Sequence, residues 1–344
     1  MSHFLQLHLL TSYPPSNLNR DDLGQPKTAL MGGVNRLRIS SQSLKRAWRT
    51  SDVFQDELGS HVGTRTKRLG LDAEKTFLES GITAKDAREW AKLIAGVYGA
   101  LKSDSVEIEQ LVHVSPEEIA TLYALVATVA QEKRKPKEEE LNRLLHDQSA
   151  VDIAMFGRML ASKTKFNGEA AVQVAHAIGV HVSPLENDYF TAVDDLNSDT
   201  SGAAHVGEAS FASAVFYQYI CIDREQLHKN LHGDEALAAR SIRALTEAAL
   251  KVAPTGKQNS FASRAYAHFA LAEKGSQQPR SLSLAFLRPV QGTDYAAAAV
   301  DALLQTHKNM DQVYGPCADA STFFNVLTGE GSSSQLLDFV AVGA

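Results

Sequence analysis

Cysteine is nearly missing from this chain: Cys221 and Cys317 are the only two in 344 residues. Two thiols cannot build a disulfide framework or a cysteine metal cluster. So little cysteine fits a reducing compartment. Long apolar runs are missing too. The longest, "IATLYALVATVA", is too short to span a bilayer and is patterned like a buried helix. The first residues, "MSHFLQLHLL", lack the basic region and cleavage pattern of a signal peptide. A cytoplasmic protein with no membrane partner is expected. Neither GxGxxG nor GxSxG occurs, and "TGKQNS" at 255–260 lacks the upstream glycine of a P-loop. No cofactor is expected.

Acid is missing where it matters most. The chain carries 34 Lys+Arg against 40 Asp+Glu, a net charge of -6. That balance excludes wholesale coating of a polyanion, so any such site must be local. Yet between Leu23 and Ser51 no Asp or Glu occurs, while Lys27, Arg36, Arg38, Lys45, Arg46 and Arg49 all do. Within this block "RLRIS" alternates: Leu37 and Ile39 face one way, Arg36, Arg38 and Ser40 the other. "SSQSLKRAWRT" then reads as a helix capped by Ser40 or Ser41. It would bury Leu44, Ala47 and Trp48 and present Gln42, Lys45, Arg46 and Arg49. Free amides at a helix start, beside cations, make an anion site. Several phosphates in a row suit it better than one. The competing reading is a basic surface helix that pairs with acidic patches elsewhere.

With 44% apolar and 22% charged residues the chain is long enough for one large domain or two ordinary ones. Strands are expected over 3–13, over "RLRIS", over "HFALAEKG" and "RSLSLAFLRPV", and a strand or short apolar segment over "VDIAMFGRM". "AAVQVAHAIGVHVS" fits helix or strand. Helices are expected over "TAKDAREWAKLIAGVYGAL", "SPEEIATLYALVATVAQEKRK", "KPKEEELNRLLHDQ", "DEALAARSIRALTEAALKVA" and, as the last element, "DYAAAAVDALLQTHKNMDQVYG". Residues 188–219 read as a long hairpin with a polar middle. The class is α+β, with a helical insertion over 65–150 and a projecting ribbon.

Other candidates carry weaker signals. Asp21 and Asp22 could bind a divalent metal or act as a base, but Asn and Asp also dominate turns of this kind. His228 and His232 share a helical face without a third ligand, so no metal site is expected. His176 and His181 read as packed or exposed residues. "TRTKR" at 64–68 either extends the basic track or is a solvated loop. Tyr189 and Phe190 on the ribbon could stack on bases or pack as ordinary strand residues.

The block "RLRISSQSLKRAWR", with "LNRDD" at 18–22 and the Gly32–Gly33 pair, closely resembles the CasC family. These are the backbone subunits of the type I-E CRISPR surveillance complex Cascade. The resemblance extends in order through "DIAMFGRM" at 152–159, "AHAI" at 175–178, "FTAVDDL" at 190–196, "GAAHVG" at 202–207 and "VFYQY" at 215–219.

This resemblance implies a hand. A modified RRM-like (ferredoxin-like) palm would comprise 1–64, 151–187 and 220–344, with helical fingers over 65–150 and a β-hairpin thumb over 188–219. Copies would line up as a filament along the spacer of a CRISPR RNA (crRNA) and display its bases for pairing with target DNA. Other copies of the chain and other Cascade subunits would be partners. Carried over by position, Lys27, Ser40, Gln42, Lys45, Arg46 and Arg49 fall on the palm track, with Arg20 in the loop beside it. Relatives often have Lys where Arg49 stands, and Arg changes the fork geometry. Phe190 and Thr191 fall where the thumb holds a displaced base, and Tyr189 is aromatic as in the family. The segment from Leu160 to Asn167 is shorter than in relatives, so no base contact is assigned to it. A non-enzymatic role is implied. The alternative is a metal-dependent RNA endonuclease using Asp21 or Asp22, as in type III relatives.

Overall fold

A computed structural model describes residues 3–145, 150–160, 163–193, 195–196 and 205–342. The polar middle of the expected ribbon, and residues 161–162 after "GRM", lie outside the described residues. The chain divides into two compact units. One comprises 1–54, 173–223 and 242–344; the other comprises 55–172 and 224–241. The fold is α+β, with a large antiparallel sheet and surrounding helices. No described helix is long and apolar enough to cross a membrane.

The first unit is built on the sheet. Strand β1 (Phe4–Ser16) buries Leu5, Leu7, Leu9 and Leu10. It lies between the strands His205–Asp223 and Ala267–Gly275, antiparallel to both. Strand Ala320–Asn325 extends one side. On the other side follow Ala177–Gly179, then β3 (Val34–Ile39) and β2 (Thr28–Met31). Gly32 and Gly33, both at positive φ, turn the chain between β2 and β3. The helix Tyr295–Tyr314 contributes Ala299, Val300 and Leu303 to a core with Leu10, Val215, Tyr217, Phe269 and Phe286.

A buried polar cluster joins that helix to the sheet. The Glu273 carboxylate accepts from His8 Nε2 (3.0 Å), His307 Nε2 (2.8 Å) and both Arg280 terminal nitrogens. A carboxylate only accepts, so His8 donates from Nε2 and accepts a hydrogen bond from the Tyr217 hydroxyl at Nδ1 (2.9 Å). Burial alone would raise the Glu273 pKa, but these donors overrun it and hold the carboxyl far below its usual range. The Glu273 bond raises the His307 pKa, while burial lowers that of His8.

The second unit is mainly helical. Helices Leu69–Glu79, Ala84–Gly96 and Pro116–Glu132 share a core containing Phe77, Trp90, Ile94, Leu122 and Val129. A capping box of Ser115 and Glu118 starts the third helix. Glu118 also pairs with the buried Arg158 (2.8 Å), and Asp152 binds His113 (2.7 Å) and the Gly63 amide (2.7 Å).

Three expectations need correction. "VDIAMF" is a short helix, Val151–Phe156, ended by Gly157. Of "KPKEEELNRLLHDQ" only Glu138–Leu141 is helical among the described residues. "RSLSLAFLRPV" holds a 3₁₀ turn, Ser283–Phe286, in place of a strand. Two elements also follow the helix expected to be last: the strand Ala320–Asn325 and the helix Ser333–Ala341.

Candidate nucleic-acid interface

Strand period gives way to helix period at Ser40, and the site begins there. Helix α1 (Ser41–Arg49) is capped by Ser40, whose hydroxyl accepts from the Ser43 amide (3.3 Å). Leu44, Ala47 and Trp48 are buried, as their spacing demands. Gln42 and Arg46 are exposed; Lys45 and Arg49 are half-buried. The first turn carries no acid, and its leading amides have no partner within the helix.

The loop after β1 is tied to this helix start. Asn19 Oδ1 accepts from the Ser40 amide (2.9 Å), and the Asn19 carbonyl accepts from the Lys27 amide (2.8 Å). The Lys27 carbonyl in turn accepts from Arg38 (2.8 Å). These bonds bring Lys27, Arg38 and α1 together although they are far apart in composition and period. Arg20 is exposed at the rim. A polar cleft of about 390 Å³ opens here, lined by Asn19, Arg20, Asp21, Ser43, Arg46, Thr50 and Gly256 among others.

His176 reports the local field. Its Nδ1 lies 3.1 Å from Arg38 Nη1. Its pKa is lowered, first by desolvation and then by Arg38, Lys27 and Lys45. Arg38 touches this exposed imidazole, and Lys27 on the loop and Lys45 on the helix are near enough to act on it. Sequence reasoning missed His176. The one available signal was its place in "AHAI", which carries no charge pattern.

Arg36 corrects the expected track. Its side chain is fully buried and donates to the carbonyls of Gly179 (3.1 Å) and Phe286 (3.1 Å). It pins β3 to neighbouring backbone and presents nothing to a ligand. Alternation along β3 fails at this point because both faces are covered, leaving Arg36, Leu37 and Ile39 all buried.

Asp21 and Asp22 fall in the same loop. Asp21 Oδ1 accepts from the Leu23 (3.0 Å) and Gln25 (2.9 Å) amides, which is turn chemistry. Among the described residues no group of three or more His, Cys, Asp or Glu is placed to hold a metal. His181 does not join the cluster, and "TRTKR" belongs to the helical unit. His181 stacks on Tyr295 (4.0 Å) and accepts from the Val215 amide, and Lys67 donates to the Glu109 carbonyl in the helical unit.

The ribbon is formed by Glu186–Ala192 pairing antiparallel with the start of the strand His205–Asp223. Every residue of its first strand is exposed, including Tyr189, Phe190 and Thr191. The Phe190 ring lies over Gly207, its cross-strand partner, where an added Cβ would meet the ring at 2.4 Å.

Among curated proteins nothing matches the chain. Solved structures do. A chain of a "CRISPR RNA-guided surveillance complex, pre-nicking" superposes with a TM-score of 0.85 at 28% identity, covering 99% of this chain and 100% of that one. A chain of a "CRISPR RNA-guided surveillance complex" superposes with a TM-score of 0.75 at 24% identity and similar coverage, a likeness of fold alone. The family model described as "CT1975-like protein" matches residues 5–338, and on that span the chain belongs to the CT1975-like protein family.

Proposed function

We propose that this chain is a non-enzymatic backbone subunit of a type I-E CRISPR surveillance complex, which grips the phosphate backbone of a crRNA without reading its sequence. The observation that carries the reading is that Lys27, Arg38 and Lys45 act together on His176 beside a helix whose first turn has no acid and which also carries Arg46. A ligand with evenly spaced negative charge matches it. Family membership and the likeness to surveillance-complex chains support the same ligand. Backbone contacts carry no sequence information, which suits a subunit that must accept any spacer. In this reading Tyr189, Phe190 and Thr191 on the exposed ribbon hold a displaced base. Copies of the chain then line the RNA with other subunits, and target DNA is met only through pairing with the crRNA.

The test is RNA binding by a Lys45→Ala, Arg46→Ala, Arg49→Ala triple variant across a salt series. Affinity is expected to fall alike for unrelated spacers. The salt slope should flatten by about 0.7 per lost single-strand phosphate contact. An unchanged slope rejects the grip. The endonuclease alternative predicts Mg²⁺-dependent cleavage of complementary RNA that Asp21→Ala or Asp22→Ala abolishes. With Asp21 Oδ1 already occupied by two amides, no cleavage is expected.

A further inference from the structure

"TGKQNS" fits no nucleotide-binding template, yet it borders the polar cleft beside α1. Thr255 and Gly256 line the same cleft as Arg20, Ser43 and Arg46. Gly256 is held there by close packing. A Cβ on it would meet the Leu18 carbonyl oxygen at 2.2 Å and that of Asn17 at 2.7 Å. Five residues later Phe261 packs its ring against Phe211, on the long strand, with centroids 5.9 Å apart. The loop is thus fixed at two points, one on the segment that lines the cleft and one on the long strand. Between them Lys257 is exposed, at φ +46°, and Ala262 also adopts a left-handed conformation. Non-glycine residues at positive φ are uncommon and gather at functional sites. The charge pattern agrees. No Asp or Glu stands between Glu247 and Glu273, while Lys251, Lys257 and Arg264 do.

We infer that the 255–262 loop is a further wall of the nucleic-acid cleft, and that Lys257 contacts the backbone phosphates of the bound strand. This rests on the RNA-binding reading of α1 and adds a contact from a distant part of the chain. The strand would run between Arg46 on one side and Lys257 on the other. Charge from two directions holds a backbone in register better than charge from one, because sliding away from one wall approaches the other.

The experiment uses the full-length chain and a labelled single-stranded RNA of mixed sequence, titrated at several salt concentrations. Lys257→Gly removes the charge and suits the positive φ, so the loop keeps its shape. Its thermal melting should match the wild type. Its salt slope should fall by about 0.7, with about a fivefold loss of affinity at 0.1 M salt. Lys257→Glu should bind more weakly still. Arg46→Ala serves as the comparator. If Arg46→Ala weakens binding and both Lys257 variants leave affinity and slope unchanged, the inference is overturned while the RNA-binding reading stands. Wild-type chain that binds RNA without salt dependence overturns both.

Discussion

Two histidines in the sheet unit sit in opposite surroundings. His307 faces Glu273, and that bond raises its pKa. His176 faces Arg38, Lys27 and Lys45, and its pKa is lowered. Around His307 every charge has an answer within the chain: Arg280 pairs with Glu273 and Asp311, and His8 with Glu273. Around His176 the neighbouring charges that lower its pKa are all cationic: Arg38, Lys27 and Lys45. The matched cluster serves architecture. The cationic one has a different use in the proposed function, where a polyphosphate backbone would answer its charge.

Breaking the matched cluster should have the largest effect. Glu273→Ala leaves half-buried Arg280 without its main partner and strips His8 and His307 of their acceptor, and is expected to cost about 3 kcal/mol of stability, read by denaturant unfolding. Arg36→Met comes next. It frees two carbonyls from a charged donor, at about 2 kcal/mol. Its salt slope for RNA should change by less than one contact's worth, because Arg36 never meets the ligand. A slope loss as large as that of Arg46→Ala would break the distinction between them.

The pH dependence follows from the same cluster. His307, with its raised folded pKa, adds stability below its ordinary value near 6.5, and this fades as pH rises through the folded value. Glu273, with its depressed folded pKa, adds stability above about 4.3 that is lost as pH falls. Buried His8, with its lowered pKa, opposes His307 by favouring unfolding under acid. Glu273→Gln should therefore flatten the melting-temperature profile on both sides, and a profile of unchanged shape would refute the assignment. The smallest effect is on the ribbon. Phe190→Ala should leave stability within about 0.5 kcal/mol, since the ring is half-exposed. It should weaken RNA binding by about 1 kcal/mol if the ring stacks on a base.

The β3–α1 segment was legible because two periods meet at a capping serine, and the burial of Leu44, Ala47 and Trp48 follows from helical spacing alone. Arg36 was not legible. Alternation assigns it to the polar face, and only the carbonyls of Gly179 and Phe286, brought in by distant parts of the chain, reveal its role. The error at 280–290 has a plainer cause. Leu282, Leu284 and Phe286 alternate like a strand, but Leu282 and Phe286 are also one helical turn apart. The turn buries those two and exposes Leu284. "VDIAMF" is too short for any period to decide. His176 and the 255–262 loop escaped because their neighbours in space are far away in sequence.

Arg36 has a consequence beyond anchoring. Its hydrogen-bond acceptors are neutral carbonyls, so its charge is directed but never cancelled. Guanidinium stays ionised at any physiological pH. Its reach is visible at His181, whose lowered pKa it helps to depress. A cation enclosed in protein is screened less than one in solvent. Arg36 therefore keeps a buried positive charge beneath β3 at every physiological pH, felt by the neighbouring His181 imidazole.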